Sequence, residues 1–321
     1  MSVLESIKDK VESSKSILIM THTNPDGDAM GSSLGLLSAL KKIEKQATVY
    51  IPVPNKMFTF LPGYAEIVTE GINPKDYDLC ISLDSSDLER LGPGREIFEA
   101  IDDTIVIDHH ITNQSYGDIN YLNAVASSTC ENLIVVLAAM NIAINKEIAE
   151  SLYTGILTDT GAFRYNAQPE TYEFVAMLLE TGVETNKIYR RLFDLTTLNK
   201  TKLLARALER LEIHEDGRVS FTYITNQDLE DLGLDENDSE GIVNFGRNID
   251  GTEVSIFVKE RDGKYKISMR ANEYVDVSVI ASKFAGGGHV RAAGFESVMT
   301  MEQIKSSLLE EIRKQLKVVE A

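Results

Sequence analysis

The sequence predicts an α/β protein: a mainly parallel, doubly wound sheet domain followed by a smaller α/β domain. Three observations carry this. Short apolar runs rich in β-branched residues recur in the first part, at SILIM (16–20), ATVYI (47–51), DLCISLD (78–84) and TIVIDHH (104–110). Helical patterns separate some of them, notably AMGSSLGLLSALKKIEK (29–45), and that alternation marks βαβ units. The chain has 321 residues, too many for one ordinary core, so two domains are expected.

The elements follow in order. The N-terminal MSVLESIKDKVESSK alternates charged and apolar residues like an amphipathic helix and lacks the apolar stretch of a signal peptide, which predicts a cytoplasmic protein. After the four strands, helices dominate from about 127 to 211, in STCENLIVVLAAM, KEIAESLYTGILTDTG and NKTKLLARALERL. All seven prolines lie at or before Pro169. Strand-like alternation returns at HEDGRVSFTYIT, and TEVSIFVKERDGKYKISMRA (252–271) reads as a hairpin around Asp262-Gly263. A helix over about 301–317 closes the sequence. The expected division is a catalytic domain over 1–190, a connecting helix over 191–214 and a second domain over 215–321.

Composition excludes several classes. Charged residues make up 26% and apolar residues 43%, as in an ordinary soluble chain. The longest apolar run, LIVVLAAM (133–140), is far short of the ~20 residues that span a bilayer, so no membrane partner is expected. Cys80 and Cys130 sit in apolar surroundings and read as buried thiols rather than a disulfide framework. The net charge of −18 argues against long duplex nucleic acid, although metal ions can reverse the field inside one cleft.

Acidic and histidine residues collect where the strands end. His22, Asp26 and Asp28 follow the first strand, Asp84 ends the third, and Asp108, His109 and His110 end the fourth; Asp159 lies in the helical TGILTDTG. Each alone reads as a turn or cap residue, but carboxyl ends of parallel strands face the ligand crevice of an open α/β sheet. Two divalent ions need a shared carboxylate and separate further ligands. Asp84 suits the bridge, His22 and Asp26 one ion, and Asp28, His109 and Asp159 the other. Asp26 and Asp28, two residues apart, are expected to point the same way in an extended turn. A set rich in oxygen with two imidazoles suits Mn²⁺, with Mg²⁺ or Co²⁺ as the other options, better than a thiolate zinc site.

These residues resemble a known family. NPDGDAMGS, LDSSD, DHH and TDTG are similar to the four ordered motifs of the DHH phosphoesterases, and AGGGHVRAAGF (285–295), preceded by ISMRAN, resembles the DHH-associated C-terminal domain. Length and ending resemble the branch that degrades short oligoribonucleotides and removes the 3′-phosphate of adenosine 3′,5′-bisphosphate. The resemblance implies a Mn²⁺-dependent phosphodiesterase or exoribonuclease with its active site in the inter-domain cleft. It assigns His22, Asp26, Asp28, Asp84, His109 and Asp159 to metals, and it puts His110, with Asp84, in the catalytic set, His110 on the substrate side. Adjacent side chains on a strand end pointing to opposite faces would agree with that.

The glycine-rich ending has its own chemistry. Gly286, Gly287 and Gly288 let backbone N–H groups approach an anion, and His289, Arg270 and Arg291 add donors. From 240 to 295 eight Lys and Arg stand against seven Asp and Glu, the least acidic place for a phosphate. Phe163 reads either as a base-stacking ring or as core, and Arg164 either as a phosphate contact or as half of an ion pair. Ser127 and Ser128 read first as helix caps. The expected partners are short single-stranded RNA oligonucleotides or small phosphorylated nucleotides, and a homodimer is compatible. The alternatives are a cyclic di-AMP or pApA phosphodiesterase and a nucleotide sensor without turnover; the latter would lack a ligand, and none of the six is missing. A pyrophosphatase is disfavoured, since GGGH stands where a Lys/Arg-rich motif would be needed.

Overall fold

Strand residues of the first sheet alternate between two cores. In β1 (Ser16–Thr21), Ile17 and Ile19 join one apolar cluster while Leu18 and Met20 join another. Covering both faces of the sheet this way demands a run that is apolar at every position, which is what SILIM supplies. The structure is a computed structural model and describes residues 2–261 and 263–319. The chain divides into two units, Met1–Leu195 and Thr196–Ala321.

The first unit contains α1 (Val3–Ser13), β1, α2 (Gly27–Lys42), β2 (Gln46–Tyr50), β3 (Leu79–Leu83), α3 (Gly94–Glu99), β4 (Thr104–Asp108), β5 (Ile119–Leu122), α4 (Thr129–Ala139), α5 (Lys146–Asp159), α6 (Pro169–Glu180) and α7 (Thr185–Tyr189). Its five strands are parallel in the order β2-β1-β3-β4-β5. The order reverses between β1 and β3, so their carboxyl ends flank the point where ligands bind in such sheets. Two details depart from expectation. The fourth strand stops at Asp108 rather than running through the histidines, and β5 adds a fifth strand whose residues are largely half-buried. A short strand without a full apolar face gives little periodic signal.

Glycines set how closely α2 lies to α5. A Cβ at Gly31 would stand 2.5 Å from the Ser151 carbonyl oxygen, and one at Gly155 would stand 2.2 Å from Cys130 Sγ and 2.8 Å from Asp28 Oδ1. Close helix contact therefore holds the first turn of α2 near α4 and α5.

The second unit contains α8 (Leu198–Glu209), β6 (Glu212–His214), β7 (Val219–Ile224), α9 (Asn226–Leu232), α10 (Ile242–Arg247), β8 (Val254–Arg261), β9 (Lys264–Ala271), α11 (Val277–Ser282), β10 (Gly287–His289), β11 (Ala292–Ser297) and α12 (Met301–Val319). Its mixed sheet runs β10-β11-β9-β8-β7-β6, with β7 and β8 parallel and the other pairs antiparallel. The β8–β9 hairpin closes with Arg261 opposite Lys264; Gly263 has φ +75°, and Asp262 lies outside the described residues. Ile256, Val258, Ile267 and Met269 pack with Ile304, Leu308 and Ile312 of α12. The helix α8, expected as a connector, packs Leu203 and Ala207 against Ile224 and Leu229 of the second unit. No helix among the described residues is long and apolar enough to cross a membrane.

The α2–α5 contact makes a direct prediction. Gly31→Ala forces a methyl group against backbone rather than a flexible side chain, so it should destabilise the fold by about 1–3 kcal/mol. Urea denaturation followed by circular dichroism checks this. An unchanged midpoint would mean that the two helices separate freely.

Candidate metal centre

Three strand ends and two helix ends deliver the polar residues. His22 follows β1, Asp84 follows β3, and His109 and His110 follow β4; Asp28 stands in the first turn of α2 and Asp159 at the last residue of α5. Asp26 is the N-cap of α2, where its Oδ1 accepts hydrogen bonds from the Asp28 and Ala29 N–H groups at 3.0 and 3.1 Å. The capping reading of Asp26 is thus right, and its Oδ2 remains directed to His22 Nε2 at 4.0 Å. The extended turn expected for Asp26 and Asp28 is instead a helix N-terminus, because the cap lets α2 begin at Gly27. Asp28 points inward, its carboxylate accepting the Thr129 and Cys130 N–H groups at 2.6 and 2.9 Å from the start of α4.

Ligand atoms converge in three overlapping groups, each within 4.8 Å: His22, Asp26 and Asp84; Asp28, His109 and Asp159; and Asp84, His109 and His110. Asp84 stands at the centre. Its Oδ2 lies 3.7 Å from His22 Nε2, and its Oδ1 lies 3.7 Å from His109 Nε2 and accepts the Thr129 hydroxyl at 2.9 Å. Asp84 has φ +55°, a left-handed conformation that Asp tolerates better than most residues and that ends β3 abruptly. His109 Nε2 lies 3.4 Å from Asp159 Oδ2 and 3.9 Å from Asp28 Oδ2.

The histidines depart from the expected alternation. Strand geometry ends at Asp108, so His109 and His110 do not point to opposite faces; their rings lie 4.7 Å apart at 60°, both beside Asp84. They differ in their partners. His110 Nδ1–H donates to Asp108 Oδ1 at 2.7 Å, and this bond, opposed by burial, pushes the imidazole up to about 9. Burial would raise Asp108, but the hydrogen bonds from His110 and Asn113 outweigh it and hold that carboxyl below its ordinary value. Asn113 Nδ2 reaches both Asp108 Oδ2 at 2.6 Å and the Ser85 carbonyl at 3.0 Å, tying the loop after β4 to the loop after β3. Sequence reasoning gave Asp108 and Asn113 no role. The signal that could have found Asp108 is its spacing, two residues before a histidine just past a strand end.

The donor set fits divalent cations. Burial, then the neighbouring carboxylates, raise Asp28 and Asp84 well above the ordinary value; burial also raises Asp159. Asp28 and Asp84 are 1% and 2% exposed, so the crowding is not relieved by water. His22 Nδ1 bonds the Thr23 carbonyl at 2.8 Å, which leaves Nε2 buried with no hydrogen-bond partner among the described residues. A ligating histidine commonly has its other ring nitrogen held in this way. With Asp26 the site gathers four carboxylates, the charge of two divalent ions.

The remaining expected residues lie elsewhere. Phe163 is half-buried against the first core, its ring 5.6 Å from that of Tyr172. It follows Gly161 and Ala162 in three consecutive left-handed residues (φ +54°, +59° and +64°) just past Asp159. Arg164 is exposed, its Nε donating to the Gly161 carbonyl and its guanidinium over Tyr165 at 5.5 Å. Ser128 caps α4, and Ser127 bonds Glu131. In the second unit Gly287, Gly288 and His289 form the exposed edge strand β10, and Arg270 is on β9. Arg291 donates to the Val275 and Glu273 carbonyls and so braces the β10–β11 turn.

Comparison with known proteins adds to this geometry. Residues 16–156 match the DHH family, N-terminal domain, and residues 216–318 match the DHHA1 domain. The chain is 32% identical over 303 residues to the bifunctional oligoribonuclease and PAP phosphatase NrnA of Thermus thermophilus, covering 94% of this chain and 90% of that one. It is 27% identical over 283 residues to the protein of the same name from Bacillus subtilis, covering 87% and 88%. The crystal structure of an exopolyphosphatase-related protein from Bacteroides fragilis superposes with a TM-score of 0.87 at 28% identity, covering 99% and 98% of the two chains.

Raised carboxyl groups make a stability prediction. Folding without metal raises Asp28, Asp84 and Asp159, so the stability they contribute is full at low pH and is lost as pH rises above the ordinary carboxylate range. A divalent cation bound there would replace those protons. Adding Mn²⁺ to metal-free protein should therefore raise the melting temperature more at about pH 7.5 than at about pH 5. Scanning fluorimetry reads the difference, and a shift that is absent or equal at both values would contradict it.

Proposed function

The chain belongs to the DHH family, and on that premise we propose that it is a two-metal phosphoesterase of short oligoribonucleotides. It releases mononucleotides and also removes the 3′-phosphate of adenosine 3′,5′-bisphosphate, with Mn²⁺ as the ion and the cytoplasm as the compartment. One observation carries the reading: the two oxygens of Asp84 face two different ligand sets, His22 and Asp26 on one side, His109 on the other. The two relatives named as oligoribonucleases and PAP phosphatases support the substrate class.

Residue roles follow from the contacts. His22, Asp26 and Asp84 would hold one ion; Asp84, Asp28, His109 and Asp159 would hold the other. Such a pair supplies positive charge at phosphorus and acidifies a water. His110 is held through Nδ1 by Asp108, and its Nε2 would donate to the phosphate or to the departing oxygen. Asp108 stays ionised and keeps the ring from turning. Within the second unit, Arg270, His289 and the N–H groups of Gly287 and Gly288 are the candidate phosphate donors. A chain with net charge −18 disfavours long polyanions away from these points, which agrees with short substrates.

The experiment is an incubation of purified protein with labelled short oligoribonucleotides, pApA, adenosine bisphosphate and pyrophosphate, with Mn²⁺ or with excess chelator. Mononucleotides and adenosine monophosphate are expected, with loss of both activities in chelator. Asp84→Asn should abolish turnover of every substrate. His110→Ala should lower kcat by about 10²–10⁴ while Mn²⁺ still raises the melting temperature. Turnover in chelator, or an Asp84→Asn variant near wild-type activity, would remove the two-metal reading.

A further inference from the structure

One buried carboxylate beside the metal centre has no part in the roles above. Glu131, 3% exposed, is the third residue of α4 and reaches back past the start of the helix. Its Oε2 accepts the Ser127 N–H at 3.0 Å and its Oε1 accepts the Ser127 hydroxyl at 2.5 Å. Ser127 is buried too, so both bonds are closed to water. An acid at this helix position commonly bonds the N–H of the capping residue. Here the cap is Ser128, whose hydroxyl accepts the Glu131 N–H at 3.2 Å, and the carboxylate passes it by for the residue before. Burying a carboxylate costs more than a helix cap returns, so capping does not account for this placement.

The loop before α4 does. Ala126 precedes Ser127, and its carbonyl accepts His109 Nδ1–H at 3.4 Å. That is long for such a bond, so the ring is held only as firmly as the loop itself. Two neighbours on α4 fasten the loop at its ends. Glu131 grips Ser127, and Asn132 Nδ2 donates to the Asn123 carbonyl at 3.3 Å and to the Asp108 carbonyl at 2.9 Å. The first turn of α4 thus divides its work. Thr129 and Cys130 bond the Asp84 and Asp28 carboxylates, whereas Glu131 and Asn132 fix the backbone around His109. Among the described residues the Glu131 carboxylate hydrogen-bonds Ser127 alone.

We propose that Glu131 is a positioning residue for His109: by fixing Ser127 it keeps the Ala126 carbonyl on Nδ1–H and so leaves Nε2 unprotonated and directed at Asp28 and Asp159, as a ligand for the ion proposed there. This rests on the two-metal reading above and deepens it, because only one of the two proposed ions has His109 in its set. The other set has its own brace, His22 Nδ1 on the Thr23 carbonyl, and does not depend on Glu131. A rival role is purely electrostatic. Burial first, and Glu131 among the neighbouring charges, raise Asp159, so the carboxylate could attract a cation without touching the ring. That attraction would not need His109, and positioning does.

Titration of full-length, chelator-treated protein with Mn²⁺, the unbound ion being counted by electron paramagnetic resonance, tests this without turnover. The wild-type chain should take up two ions. Glu131→Gln, close in shape but uncharged, should weaken one of them about tenfold and leave the other within about twofold. In a His109→Ala chain the same substitution should cost nothing further, whereas in a His22→Ala chain the tenfold loss should persist. Should Glu131→Gln fail to fold, Ser127→Ala removes only the hydroxyl and carries the same comparison. Equal weakening of both ions, no weakening of either, or a loss that persists without His109 overturns the proposal, the last outcome marking Glu131 as acting by charge alone. A wild-type chain that takes up a single ion removes the two-metal reading. The dependence of the Glu131 effect on His109, read on that one ion, then still decides the positioning role.

Discussion

Buried carboxylates that face one another need positive charge, and the first unit is arranged around that requirement. Asp28 and Asp84 are almost fully enclosed, and Asp159 approaches from the end of α5. Burying even one unpaired carboxylate is costly, and placing several together raises each further. Protons held on these raised carboxyl groups relieve part of the crowding. Divalent cations would relieve it too, with His22 and His109 directing nitrogen donors inward beside the carboxylates.

The scaffold is what makes such crowding tolerable. Reversal of strand order between β1 and β3 leaves a gap at their carboxyl ends, and the chain fills it with the two loops that carry His22 and Asp84. A backbone hydrogen bond from Thr23 N–H to the Arg90 carbonyl at 2.8 Å ties those loops together. Asp28 accepts two N–H groups from the start of α4, where helix N-termini favour negative charge. Gly155 lets that contact form, since any side chain there would collide with Cys130 and Asp28. The fold stabilises the carboxylates partly and leaves the remainder to a ligand.

Much of this was legible in the residues. The four apolar runs became β1 to β4 in the first sheet, because strands buried on both faces must be apolar at every position. The six ligand candidates fell at element ends and were brought together, because parallel strands deliver their carboxyl ends to one edge. Three things were not legible. Whether Asp26 opens a turn or a helix depends on capping geometry that spacing alone does not reveal. The two histidines converge because β4 ends just before them, and strand ends are set by pairing with β5, itself too short and too little buried to read. Asp108 looked like one more strand-end acid until its bond to His110 gave it a task. In the second unit, alternation located the hairpin that β8 and β9 form.

In the proposed centre Asp84 serves two cations at once. Crystals soaked in Mn²⁺ and measured at the manganese absorption edge test it directly. Two anomalous peaks about 3.5–4 Å apart are expected, one within bonding distance of Asp84 Oδ2, His22 and Asp26, the other of Asp84 Oδ1, Asp28, His109 and Asp159. A single peak, or two peaks of which only one touches Asp84, would contradict it.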